Sequence, residues 1–99
     1  MIYINGRFLT QNMTGVQRFA EEISLQIEHM RDDVILLVPD VKAIKKQSLL
    51  KRFNIEEVPG LNGHLWEQIT LPLYLLRRKS PLLINLGNTA PVFYSHQVV

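Results

Sequence analysis

The sequence predicts a single α/β domain, a three-layer sandwich with a mainly parallel sheet. Three observations carry the prediction. The runs VILLVP (Val34–Pro39) and LLINL (Leu82–Leu86) are apolar at successive positions, as strands buried on both faces of a parallel sheet are. Between the strand-like runs lie segments whose apolar residues recur every three or four positions, the period of a helix. Finally, 99 residues, 46% hydrophobic and 20% charged, match one folded domain in size and composition.

In chain order, MIYIN (Met1–Asn5) is a short β-rich run closed by Asn5-Gly6. A helix follows, with Val16, Phe19, Ala20, Ile23, Ile27 and Met30 as its apolar stripe. Thr14 is placed to cap it, and Gln17, three residues on, completes a capping-box pattern. After the strand Val34–Pro39, the Lys-rich segment Val41–Phe53 reads as a weaker helix with Asp40 as its cap, and IEEVP (Ile55–Pro59) as a charged edge strand.

The next helix takes its apolar spacing from Leu65, Trp66, Ile69, Leu73 and Leu76. Pro72 lies inside it, so a kink or break is expected near Leu71. LLINL is the next buried strand, and QVV (Gln97–Val99) the start of another. An apolar strand that has barely begun suggests a fragment of a longer protein. The first strand is expected at the centre, with the second and third to one side and LLINL on the other. Ligands of such sheets bind at the carboxyl ends of the strands where the order reverses. That rule places the loop after the first strand beside Gly87–Ser95.

Composition narrows the chemistry. The formal charge is +2, but the basic residues cluster as Lys42, Lys45, Lys46, Lys51 and Arg52, and as Arg77, Arg78 and Lys79. Such runs steer anions or anionic membrane surfaces, or are simply a solvated helix face and a helix end favoured by its dipole. Aromatic residues do not interleave with them, so nucleic acid is not an expected partner. With no cysteine there is no disulfide or thiolate chemistry. The amino terminus lacks the pattern of a signal peptide, and the longest strongly apolar stretch, Ile69–Leu76, is far short of a membrane span. A cytoplasmic protein, at most peripheral to a membrane, is expected.

Two segments carry candidate binding residues. In the first, Gly15 has no Cβ to bar a ligand, and the free N–H groups of Gly15, Val16 and Gln17 at a helix start suit a phosphate, with Arg18 adding charge. The same residues also describe a capped helix after a loop. The second is NLGNTAP (Asn85–Pro91), where Asn85, Gly87, Asn88 and Thr89 offer amides, a flexible turn and a hydroxyl to a sugar-like ligand. Ordinary turns use these residues too. His96, near the expected cleft, is a further candidate, whereas Glu67 reads as an exposed helix-favouring carboxylate. The spacing of His29, His64 and His96 offers no metal site, and no serine is flanked as a nucleophile elbow.

Three ordered motifs together are more telling than any one. INGRFLTQNMTGVQRFAEEI resembles the start of group 1, nucleotide-sugar-dependent glycosyltransferases, and GHLWEQITLPLYL with LLINLGNTAPVFYSHQVV resembles the middle of the same N-terminal domain. The resemblance spans nearly the whole chain, least so Val41–Glu57. It implies the GT-B fold, two Rossmann-like domains facing across a cleft, of which residues 1–99 would be the acceptor-side one, truncated. It also implies that Gly15 approaches the donor diphosphate, with Thr14 and Gln17 shaping the turn, and that the acceptor is a glycan or lipid-linked sugar of cell-surface polysaccharide such as lipopolysaccharide, met at the inner membrane face.

The family's catalytic histidine follows the QVV-like strand, and its donor-binding domain lies beyond. Neither is in this sequence, and His96 does not inherit that role. No cofactor is implied, since the nucleotide-sugar is a substrate, and the chain alone is expected to be inactive. Two other readings stay open: a stand-alone α/β interaction module that self-associates through an open sheet edge, and a small nucleotide-binding regulator.

Overall fold

The computed structural model describes residues 2–11, 15–45, 47–61, 63–79, 81–86, 91 and 94–98. Its strands are β1 (Ile2–Asn5), β2 (Val34–Val38), β3 (Ile55–Glu57), β4 (Leu82–Ile84) and β5 (Gln97–Val98). They form one all-parallel sheet in the order β3-β2-β1-β4-β5, as expected. This is a Rossmann-like α/β fold, with β1 central and the order reversing between β1 and β4.

The pleat sorts the strand side chains into two cores. Ile4, Val34, Leu36 and Val38 face one way, onto Phe8, Leu9, Ala20, Ile44 and Phe53. Tyr3, Leu37 and Leu83 face the other way, onto Val58, Trp66, Leu71, Leu75 and Tyr94. Continuous apolar runs such as VILLV are what this two-sided burial demands.

The first core is closed by a 3₁₀ turn, Gly6–Thr10, and by helix α1, Gly15–Met30. Gly6 is needed there, because a Cβ would stand 2.8 Å from the Leu37 carbonyl oxygen and 3.0 Å from Val38 Cγ1. The inward residues of α1 are Ala20, Glu21 and Ser24. Phe19 and Met30, expected within the buried stripe, are 59% and 78% exposed. The apolar stripe therefore straddles the helix–sheet contact instead of centring on it. The segment Val41–Phe53 is not a helix but two 3₁₀ turns, Val41–Ala43 and Gln47–Lys51. Asp40 does cap the first of them, its carboxylate accepting from the Lys42 N–H at 2.9 Å.

The second core is closed by one helical run with three parts: α2 (Gly63–Leu65), a π turn (Trp66–Thr70) and α3 (Leu71–Arg77). The break expected near Leu71 takes this form. Pro72 has no N–H to return to the Gln68 carbonyl, and the Leu71 N–H reaches the Trp66 carbonyl, five residues back. The inward face is Trp66, Glu67, Leu71, Pro72 and Leu75, whereas Leu65, Ile69, Leu73 and Leu76 are exposed. Trp66 is pinned by its indole N–H, which donates to the Val58 carbonyl at 2.8 Å. Tyr94 closes the same core, its hydroxyl donating to the Pro81 carbonyl, and burial pushes its phenol pKa up. Among the described residues no helix is long and apolar enough to cross a membrane.

Candidate functional site

The carboxyl ends of β1 and β4 meet at the point where the strand order reverses, and a buried polar cluster occupies it. Asn5 ends β1, Asn85 follows β4, and Glu67 enters from the π turn; all three are buried. Asn5 Nδ2 donates to Glu67 Oε1 at 2.8 Å and to Asn85 Oδ1 at 3.0 Å. Asn5 Oδ1 accepts from the Arg7 N–H at 3.2 Å, capping the 3₁₀ turn. One asparagine thereby fixes the exit of the central strand, the neighbouring strand and a helix on the far layer.

The charges are paired within this frame. Arg7 NH1 stands 3.1 Å from Glu67 Oε2, with side-chain exposures of 17% and 2%. A carboxylate so buried is tolerated because its oxygens meet donors, one from an amide and one from a guanidinium. Asn85 Nδ2 donates onward to Gln97 Oε1 at 2.8 Å, and Gln97 Nε2 to the carbonyls of Pro91 at 2.7 Å and Tyr94 at 2.6 Å. The network therefore runs from the centre of the sheet to the segment before β5.

Of the residues singled out in the sequence, Asn85 joins this cluster. Gly15, Val16, Gln17 and Arg18 form the first turn of α1, with Gly15 and Arg18 exposed and Gln17 Nε2 donating to Gln11 Oε1 at 2.9 Å. Their segment leaves β1, as that of Asn85 leaves β4, so both follow the carboxyl ends of adjacent strands. Thr14, Gly87, Asn88 and Thr89 lie outside the described residues. His96 is exposed and precedes β5; its carbonyl accepts from the Leu83 N–H at 3.0 Å, level with mid-β4 and not with Asn85.

Glu67 corrects the sequence reading: it is 1% exposed, not a solvated helix carboxylate. It lies four residues before Leu71 and shares that inward face, and the widened π turn brings in Trp66 as well, which an uninterrupted helix would set on the far side. Asn5, Arg7 and Gln97 were also missed as site residues. A signal existed for Asn5, since the last residue of the central strand in such a sheet stands at the switch point. For Arg7 and Gln97, identity alone held none.

Both basic runs are exposed where described. Arg78 lies over the Tyr74 ring at 4.8 Å and 3.8 Å from Glu56. Among the described residues no three metal-ligating side chains converge. Fold and site together define a doubly wound parallel α/β protein with a buried polar cluster at its switch point. Set beside protein-family models, curated proteins and solved structures, the chain matches none of them.

Proposed function

We propose that the chain is the acceptor-side, N-terminal domain of a nucleotide-sugar-dependent glycosyltransferase that builds a cell-surface polysaccharide. The parent transfers a sugar from its nucleotide donor to a glycan or lipid-linked acceptor, on the cytoplasmic side of a membrane. In this reading the first turn of α1 meets the donor diphosphate when a second domain closes over it. Helix N–H groups and the dipole stabilise the charge of the leaving group there. Asn85 and the segment after it line the acceptor side. The clusters Lys42–Arg52 and Arg77–Lys79 face an anionic membrane surface.

The observation that carries the reading is Gly15. A Cβ built on it meets nothing within 4 Å, and its φ is not positive. No contact within the described chain asks for a glycine there, whereas a diphosphate pressed against the turn does. The order of the three sequence motifs supports the same assignment.

The test is the coding sequence that follows Val99, and the activity of the product it encodes. A second α/β domain with acidic donor-binding residues is expected, as is nucleoside-diphosphate release from one of a panel of nucleotide-sugars. An extended frame without such a domain overturns the reading. The 99-residue chain alone should bind nucleoside diphosphates weakly, and tight binding would favour a nucleotide-binding regulator.

One observation favours a second reading, self-association. β5 is an edge strand, and Val98 on it is 54% exposed. Sedimentation at several concentrations decides, since a strictly monomeric chain excludes pairing of open edges.

A further inference from the structure

We propose that Arg7 forms an oxyanion-binding point beyond the carboxyl ends of β1 and β4, held in place by Glu67, and that it receives a phosphate group. The assignment does not depend on the sugar-transfer reading, which puts a diphosphate at the first turn of α1 instead. A phosphate borne by either substrate of a transferase, or by an unrelated ligand, has the same chemistry here.

Arg7 stands two residues beyond the end of the central strand, beside the reversal of strand order where sheets of this type take their ligands. Its guanidinium is neither a surface charge nor sealed in the core, since its side chain keeps 17% of its exposure while Glu67 keeps 2%. NH1 donates to Glu67 Oε2, and no other hydrogen bond joins the guanidinium to the described residues. One edge of a planar fork is anchored, leaving other N–H groups of that fork for a second acceptor. A fork fixed in this way loses little freedom on binding and matches two oxygens of a phosphate.

The support behind Arg7 also points to a ligand. Glu67 sits among Trp66, Leu71 and Leu75, where an apolar side chain would serve the core at least as well. A buried ion pair adds little net stability over such a replacement, because desolvation offsets the attraction between the charges. What the pair does supply is position. Glu67 Oε1 is held by Asn5, and Asn5 by Asn85, so the guanidinium is tied to two strands and a helix. The counter-charge is buried while Arg7 keeps part of its exposure, and the N–H groups that Glu67 does not take remain for a ligand. Glu67 is in this sense a positioning residue, and Arg7 the group that touches the ligand.

The test is an NMR titration of the 99-residue chain with inorganic phosphate at constant ionic strength, sodium chloride making up the balance. Saturable shifts are expected at the Arg7 Nε–H signal and at the amides of Asn5, Gly6 and Arg7. Affinity should fall about tenfold or more in Arg7→Gln, the loss of one charge-assisted bidentate contact. In Glu67→Gln the cation stays but its anchor is lost, so a smaller fall is expected, with the Arg7 Nε–H signal broadened. Arg31→Gln, before β2 at the amino-terminal end of the sheet, should bind as the wild type does.

Shifts centred on Val16 and Gln17 or on Arg77–Lys79 with Arg7 unmoved would overturn the assignment. So would shifts that chloride reproduces, that never saturate, or that survive Arg7→Gln. Circular dichroism checks that each variant is folded. Should Arg7→Gln fail that check, the position of the shifts in the wild-type chain decides alone.

Discussion

Gly15→Ala separates the two reasons for which a chain keeps a glycine. At Gly15 a Cβ finds nothing within 4 Å, and the backbone is not left-handed. Alanine there restricts the unfolded chain and suits a helix, a gain of about 0.4–1 kcal/mol. In a domain of this size each kcal/mol moves Tm by roughly 4–8 °C, so a rise of about 2–8 °C is expected. Gly6→Ala should run the other way. Its Cβ would stand 2.8 Å from the Leu37 oxygen, and forcing atoms into a packed site lowers stability by about 1–3 kcal/mol. Urea unfolding followed by the fluorescence of Trp66, the single tryptophan and fully buried, measures both. On the proposed sugar-transfer reading, Gly15→Ala should nonetheless slow transfer by the full-length protein, because the added methyl would meet the diphosphate. The reasoning is refuted if Gly15→Ala destabilises the chain as Gly6→Ala does, or if it leaves transfer untouched.

Three further outcomes test the structure. Leu75→Ala, at a fully buried position, should lower stability by about 2–5 kcal/mol, while Leu73→Ala, half exposed, should stay within about 0.5 kcal/mol; equal effects in urea unfolding would contradict the helix face described. Trp66→Phe removes the donor to the Val58 carbonyl and should lower stability by about 1–3 kcal/mol beyond the loss of ring packing, read from the same curves by circular dichroism. The Arg31 side chain, bonded to Asp33 through Nε and NH2 at 2.8 Å each, holds that carboxyl well below the usual aspartate range. The contribution of the pair is therefore complete above pH ~4, where an unfolded chain's aspartate has ionised, and is lost as pH falls through the depressed folded value. A carboxyl-detected NMR titration should show Asp33 returning toward the ordinary range in Arg31→Gln.

The strands were legible because a parallel sheet buried on both faces imposes a run of apolar residues, and VILLV and LLI obey it without exception. Their order followed from the same alternation of strand and helix. Helix faces were less legible, since periodicity says that a stripe exists but not how it is rotated against the sheet. Phe19 and Met30 satisfy the period of α1 yet stand in solvent, while Glu21 and Ser24 turn inward. The segment after β2 was misread for another reason. Its lysines suit a helix, but Ile44 and Phe53 must both reach the first core, and two short turns meet that demand. In the site, Asn85 could be found because it lies at the carboxyl end of a buried strand, one residue past β4. Arg7 and Glu67 could not, because their partnership spans sixty residues and no local pattern encodes it.

The π turn decides which side of its helix Trp66 takes. In an α-helix the residues three and four before Leu71, Gln68 and Glu67, would share its face, and Trp66 would fall opposite. Pro72 cannot donate to the Gln68 carbonyl, and the turn before it widens until the Leu71 N–H meets Trp66. Trp66 then swings onto the sheet beside Glu67, which faces inward with Leu71 in either geometry. Leu65 and Ile69 lie outside, continuous with Leu73 and Leu76, as the period of an ordinary helix would also place them. The exposed stripe and the buried carboxylate thus follow from the helical period itself, and the inward Trp66 is what the irregularity adds. Stability alone favours neither, since one leaves apolar area in water and the other removes a charge from it. What the turn does achieve is to bring Trp66 onto the sheet, where its indole N–H meets the Val58 carbonyl at 2.8 Å, beside the Glu67 that Asn5 and Arg7 hold at the switch point.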